Sequence, residues 1–158
     1  MHRYGLALLI VASPLSAFAA ELPKEGTYDF NSCWSGVNNF TFSKTHTASS
    51  YELTGTNRSN PPGGMFDKGT YRCVGLNASL AGKLTGSTVC ESIDVDGDKR
   101  LTYFSTGDGK TTRTNVAGTE KYEGMVTTGT VELLGPFPVI KDGTFQNCNH
   151  QKGTYKLK

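Results

Sequence analysis

The chain predicts an all-β domain, a barrel or a sandwich of eight or nine short antiparallel strands stapled by two disulfides. Three observations carry that expectation. Glycine supplies 19 of 158 residues and no long run of strong helix formers occurs, a composition that suits short strands joined by glycine-bearing turns. Four cysteines are present, and in an exported chain four cysteines read as two disulfides. The stretch Lys68–Lys99 reads as two strands with a cysteine on each, bounded by tight turns.

Export is read from the start of the chain. Residues 1–20 have a basic beginning at Arg3, an apolar run from Leu6 and a small-residue exit at Ala17-Phe18-Ala19. That is the pattern of a secretory signal peptide, cleaved after Ala19 or Ala20. Its apolar run is too short to span a bilayer, and no later stretch comes closer. The remainder, 21–158, is expected to form one domain in the periplasm or outside the cell. The formal net charge is +2, and the leader removes one arginine and no acid. Near-neutrality argues against nucleic acid, which requires a concentrated basic face.

In chain order, the first strand is expected at Thr27–Ser35, the second at Asn39–Thr47 and the third at Ser50–Thr56. Asn57–Gly64, with two prolines and two glycines, is the longest expected loop. Met65 and Phe66 end it as an apolar tip that packs on a rim or lids a barrel mouth. Gly-Thr-aromatic recurs at Gly26, Gly69, Gly143 and Gly153, a device for entering strands.

The hairpin that follows fixes its own register. A two-residue loop at Ala81-Gly82 sets Leu80 opposite Lys83 and, counting back, Cys73 opposite Cys90. The cysteines fall on a non-hydrogen-bonded pair, where Cα atoms are about 4.5 Å apart and a disulfide fits. Cys33–Cys148 follows by elimination, and it ties the first strand to the last part of the chain, as a closed barrel requires. The same register puts Val74, Leu76, Ala78, Leu80, Val89 and Ile93 on one face. Tyr71, Cys73, Gly75, Asn77, Thr88, Cys90 and Ser92 occupy the other. The first is the more apolar and is the expected interior. It carries Arg72 directly opposite Glu91, the least expected feature of such a face.

Further strands are expected at Lys99–Ser105, within Tyr122–Leu134, at Thr144–Cys148 and at Thr154–Leu157. A hairpin turn at Asp96-Gly97 sets Thr102 beside Glu91 and Arg100 beside Ile93. Arg72, Glu91, Arg100 and Thr102 then form one polar cluster among Val74, Val89 and Phe104. Two accounts of the cluster stand: a structural ion pair near the rim, or a binding group for the polar end of a ligand.

Other chemistry lacks its parts. Asp94, Asp96 and Asp98 suggest calcium, but the glycine and the twelfth-position glutamate of that loop are not at the required spacing. No C-x-x-C or G-x-S-x-G occurs, so thiol redox and serine hydrolase readings have no motif. Gly107-Asp108-Gly109-Lys110 lacks the spacing of a phosphate loop. His46 and His150 sit in polar, strand-like contexts. No metal and no cofactor is expected.

Two segments together carry a resemblance: Cys90-Glu91-Ser92-Ile93-Asp94-Val95-Asp96-Gly97-Asp98-Lys99 and Gly118-Thr119-Glu120-Lys121-Tyr122-Glu123-Gly124-Met125. They resemble exported bacterial proteins of the allene oxide cyclase/dirigent-type β-barrel group. The resemblance implies an eight-stranded antiparallel barrel and carries over no reaction. The functional expectation is an exported, non-catalytic binding module with a small-ligand or protein-partner site at the barrel mouth. The alternatives are a barrel isomerase or cyclase acting on an apolar small molecule, and a structural or protein-interaction barrel with a packed interior.

Overall fold

A computed structural model describes residues 22–38, 43 and 45–158. The expected signal peptide and the start of the expected second strand (residues 39–42 and 44) lie outside the described residues. Eight antiparallel strands form one sheet: β1 (Glu25–Asn38), β2 (His46–Ser59), β3 (Thr70–Leu80), β4 (Lys83–Ile93), β5 (Lys99–Gly107), β6 (Lys110–Gly118), β7 (Val126–Leu133) and β8 (Thr144–Lys156). A single 3-10 turn, Glu120–Tyr122, separates β6 from β7. The order β6-β5-β4-β3-β2-β1-β8-β7 is an up-and-down meander curled into a nearly closed barrel. Its seam lies between β6 and β7, where Asn115 Nδ2 on β6 donates to Thr127 Oγ1 on β7 at 2.9 Å.

The strand count matches the expectation, although several boundaries differ. The expected third strand and the first residues of the expected loop merge into β2, which runs to Ser59. The two expected C-terminal strands are one strand, β8. β6 was not expected. Its inward residues are Thr111, Arg113 and Asn115, so an alternation exists but no apolar period announces it.

The β3–β4 hairpin forms as expected. Ala81 and Gly82 have φ of 50° and 81°, the twist of a primed two-residue turn. Leu80 faces Lys83 and Cys73 faces Cys90. Both disulfides are present, Cys73–Cys90 and Cys33–Cys148, each with a Cα–Cα distance of 4.1 Å. The second ties β1 to β8 in direct register. Paired cysteines fit an oxidising compartment rather than the cytoplasm. Among the described residues no helix is long and apolar enough to cross a membrane.

The expected faces are inverted. Cys73 and Cys90 are buried, whereas Val74, Leu76, Leu80, Val89 and Ile93 are exposed. Arg72 and Glu91 are on the outer surface with them, with side chains 64% and 59% exposed. They do not bond each other: Arg72 Nε pairs with Glu52 on β2 at 2.7 Å, and Lys99 Nζ with Glu91 at 3.0 Å. The Glu52 hydrogen bond holds the Arg72 guanidinium above its ordinary pKa. Glu91→Ala should therefore behave as an ordinary surface change, within about 0.5 kcal/mol of wild type in urea unfolding. A loss of several kcal/mol would return Glu91 to the interior.

Across β4–β5 the register differs by one residue from expectation. Glu91 faces Leu101 and Cys90 faces Thr102. The connection is a five-residue loop, 94–98, rather than a two-residue turn. Asp94 closes it by accepting the backbone N–H groups of Asp96 and Asp98 at 2.9 and 3.0 Å. A slip of one residue turns every side chain to the opposite face. Arg100 and Thr102 therefore point inward, 6% and 3% exposed, and part company with Arg72 and Glu91.

Inside the wall, glycines face aromatic rings on the adjoining strand. Gly26 pairs with Tyr155, Gly153 with Tyr28 and Gly36 with Phe145. Gly55 pairs with Tyr71 and Gly75 with Tyr51. A Cβ at Gly36, Gly55 or Gly75 would collide with the opposing ring. At these three positions the missing side chain lets a ring lie along the wall instead of projecting into the lumen. These pairs contain all four recurring Gly-Thr-aromatic segments or their aromatic residues. Only Thr70 and Thr144 begin strands; the segments at Gly26 and Gly153 lie within β1 and β8.

Candidate functional site

One end of the barrel is plugged. Residues 60–69, between β2 and β3, fold back so that Met65 and Phe66 enter the barrel, 4% and 3% exposed. They pack with Tyr28, Phe30, Tyr122, Met125, Tyr155 and Leu157. The Phe66 ring meets those of Tyr28 and Phe30 edge-on at 5.4 and 5.5 Å, the preferred geometry for aromatic pairs. Asp67 organises the loop by accepting the N–H groups of Ser59 and Gly63, each at 2.9 Å. These bonds lower its carboxyl pKa. The apolar tip thus plugs the barrel end to which its own strands lead.

A clasp closes the same end. Lys121 Nζ lies 2.7 Å from Asp94, 2.5 Å from Asp96 and 3.4 Å from Asp98. Tyr122 donates its hydroxyl to Asp94 at 2.8 Å. Burial alone would raise the Asp94 pKa and lower that of Lys121, but their mutual hydrogen bonds reverse both shifts. The three aspartates that suggested calcium converge instead on an ammonium group of the chain. The clasp also joins the two segments behind the sequence resemblance, since one supplies the aspartates and the other Lys121 and Tyr122.

Above the plug lies a cavity of about 500 Å³, within the range of small-molecule sites. Two arginines stand at its floor. Arg100, on β5, holds its guanidinium carbon 4.0 Å from the centre of the Phe66 ring and 5.2 Å from that of Tyr122. Arg113, on β6, lies 5.7 Å from the Phe66 ring and 5.8 Å from Tyr28. Arg113 Nη1 donates to Gln151 Oε1 at 3.2 Å, and its buried Nε has no partner. Burial, with Arg113 close by, lowers the Arg100 pKa to about 10, and burial lowers that of Arg113 as well. Both remain cationic at neutral pH. Among the described residues neither forms a salt bridge with a carboxylate.

The wall above the floor mixes rings with neutral polar groups. Phe30, Trp34, Tyr51, Tyr71, Phe104 and Phe145 supply the rings, and Asn77, Asn147, Asn149 and Gln151 the amides. Tyr71 accepts a hydrogen bond from Ser32 at 2.8 Å. Burial drives its phenol up to about 12, against the pull of that bond, so it stays protonated at neutral pH. Tyr51 and Thr88 share a 2.5 Å hydroxyl contact across β2 and β4. The Cys73–Cys90 disulfide is part of the lining. Towards the far end the wall continues through Thr47, Ser79, Leu84, Thr106 and Thr111. Among the described residues this lining holds no carboxylate, imidazole or lysine.

Of the four expected binding residues, Arg100 and Thr102 line this cavity, and Arg72 and Glu91 do not. Arg113 was missed along with β6, because no apolar period marks that strand and an arginine in it is expected to face solvent. The amides of β8 were missed because the expected break in that strand hid their common phase. No family model, curated protein or solved structure matches the chain.

Proposed function

We propose that the protein is an exported, non-catalytic binding barrel that takes one small molecule into its interior and holds it between the aromatic wall and the arginine floor. The observation that carries this reading is the cavity itself. Small eight-stranded barrels either fill with side chains or hold one small ligand. Here the aromatic side chains lie against interior glycines, which leaves the lumen open. Its neutral amides and hydroxyls suit a ligand body with polar groups, and the two disulfides suit a protein working in the periplasm or outside the cell.

A barrel cyclase or isomerase has less support. Acid–base work on a small molecule calls for a group within reach that titrates near the working pH; the described lining offers no carboxylate or imidazole, and burial pushes its Tyr71 phenol up to about 12. A packed structural barrel has less support still, because the centre is hollow. The resemblance to the allene oxide cyclase/dirigent-type group implies the barrel alone and favours no reaction.

Trp34, the single tryptophan, lies in the wall and reports on occupancy. Protein purified without denaturation should carry a small-molecule adduct in native mass spectrometry, and release of that adduct should change Trp34 emission. Ser79→Phe, which adds bulk to the lining away from the floor, should lower the occupied fraction. A bare protein mass in every preparation, with Trp34 emission unmoved by host small-molecule extracts, would remove the proposal.

A further inference from the structure

We infer that the ligand is a small organic anion, a carboxylate or phosphate ester, whose charged head is held between Arg100 and Arg113 at the cavity floor. The inference rests on the binding-barrel reading and adds the ligand's charge and orientation.

The argument starts from the cost of the floor. A buried charge is unfavourable unless it is paired and hydrogen-bonded. Two guanidiniums are buried on one aromatic plug, and each repels the other. Ring faces attract cations weakly, which explains how the floor is tolerated but not how it is neutralised. The carboxylate that acts on Arg100 is Asp94. Its oxygens are taken by Lys121, the Tyr122 hydroxyl and two backbone N–H groups, and it makes no salt bridge with either arginine. Arg113 has one neutral acceptor, Gln151, and a donor left over. Arg100 and Arg113 both line the cavity, so the missing negative charge can arrive from that side. Guanidinium donors match the geometry of carboxylate and phosphate oxygens, and such bonds are the strong kind. Asn57 and Gln151 line the same cavity and can bind uncharged oxygens next to the head.

A structural role for the arginines predicts the opposite stability response. If Arg113 served the fold, an apolar replacement would destabilise. If its charge waits for a ligand, Arg113→Met removes an uncompensated buried cation and the empty protein should be as stable or more stable. The test follows Trp34 emission and thermal unfolding with three probes: phenyl β-glucuronide, the neutral phenyl β-glucoside and phenyl phosphate. At low salt the wild type should bind the glucuronide or phenyl phosphate at least about tenfold more tightly than the glucoside. Arg113→Met should keep its melting temperature without ligand and lose that preference.

Equal binding of the acid and its neutral twin would overturn the anion inference and leave the binding barrel standing. Retention of the preference in the Arg100→Met, Arg113→Met double variant would do the same. If no anionic probe binds at millimolar concentration, the inference also falls, and the native mass measurement decides separately whether the cavity holds something else.

Discussion

Removal of the two disulfides should unfold the protein at ordinary temperature. Cys33–Cys148 spans 115 residues of sequence and Cys73–Cys90 spans 17. In the chain-entropy account, loops of those sizes correspond to about 4–5 and about 3 kcal/mol. The small loop is nested in the large one, so the two losses will not simply add. Either figure is a large share of the 5–15 kcal/mol that holds a typical domain together. The paired variant Cys33→Ala, Cys148→Ala should lose more than Cys73→Ala, Cys90→Ala by this entropy, while the inner pair also gives up buried contacts with Leu53 and the surrounding rings. Urea unfolding of both variants, and of wild type with and without reductant, measures the losses. A reduced protein with an unchanged midpoint would show that the sheet stands without its staples.

Phe66→Ala should cost about 3–5 kcal/mol, the usual range for emptying a buried aromatic site. The ring is the centre of the plug: it touches Tyr28, Phe30 and Tyr122 and carries the Arg100 guanidinium. The backbone adds a second, less familiar expectation. Phe66 has φ +72°, in the left-handed region where a side chain costs roughly 1–2 kcal/mol. Phe66→Gly should therefore be no less stable than Phe66→Ala, reversing the usual order of the two residues. Denaturant unfolding of the pair decides it. An alanine variant within about 1 kcal/mol of wild type would show that the plug contributes little; a glycine variant clearly below alanine would show that the backbone strain is absent.

How much of this was legible in the chain follows from where polarity and burial agree. The β3–β4 hairpin and its disulfide could be read because turn geometry and cysteine spacing fix register without reference to what is inside. The faces could not, because the barrel is hollow. The lumen is lined by Ser, Asn, Thr and Arg among its rings, and the aliphatic residues Val74, Leu76 and Val89 are left outside. The rule that the apolar face is the interior then points the wrong way. A better signal was available in Tyr71, Cys73 and Gly75, since cysteine is among the most buried residue types and glycine alternating with tyrosine marks rings lying along a wall. The position of Arg100 was obscured by one residue of loop length, because the Asp94 turn replaces the tighter turn that Asp96-Gly97 suggests. The clasp was half visible: its two segments stood out in the sequence, but nothing in either one says that Lys121 folds into the aspartates.

The seam between β6 and β7 gives the barrel a mechanical property that a fully laddered one lacks. Seven of the eight neighbouring strand pairs are zipped by backbone hydrogen bonds and resist stretching. At the eighth, the described hydrogen bonds come from one side chain, Asn115, which donates to Thr127 Oγ1 at 2.9 Å and to the Met125 carbonyl at 3.5 Å. The girth is therefore that of a hoop with a buckle, able to widen along one line without breaking any ladder.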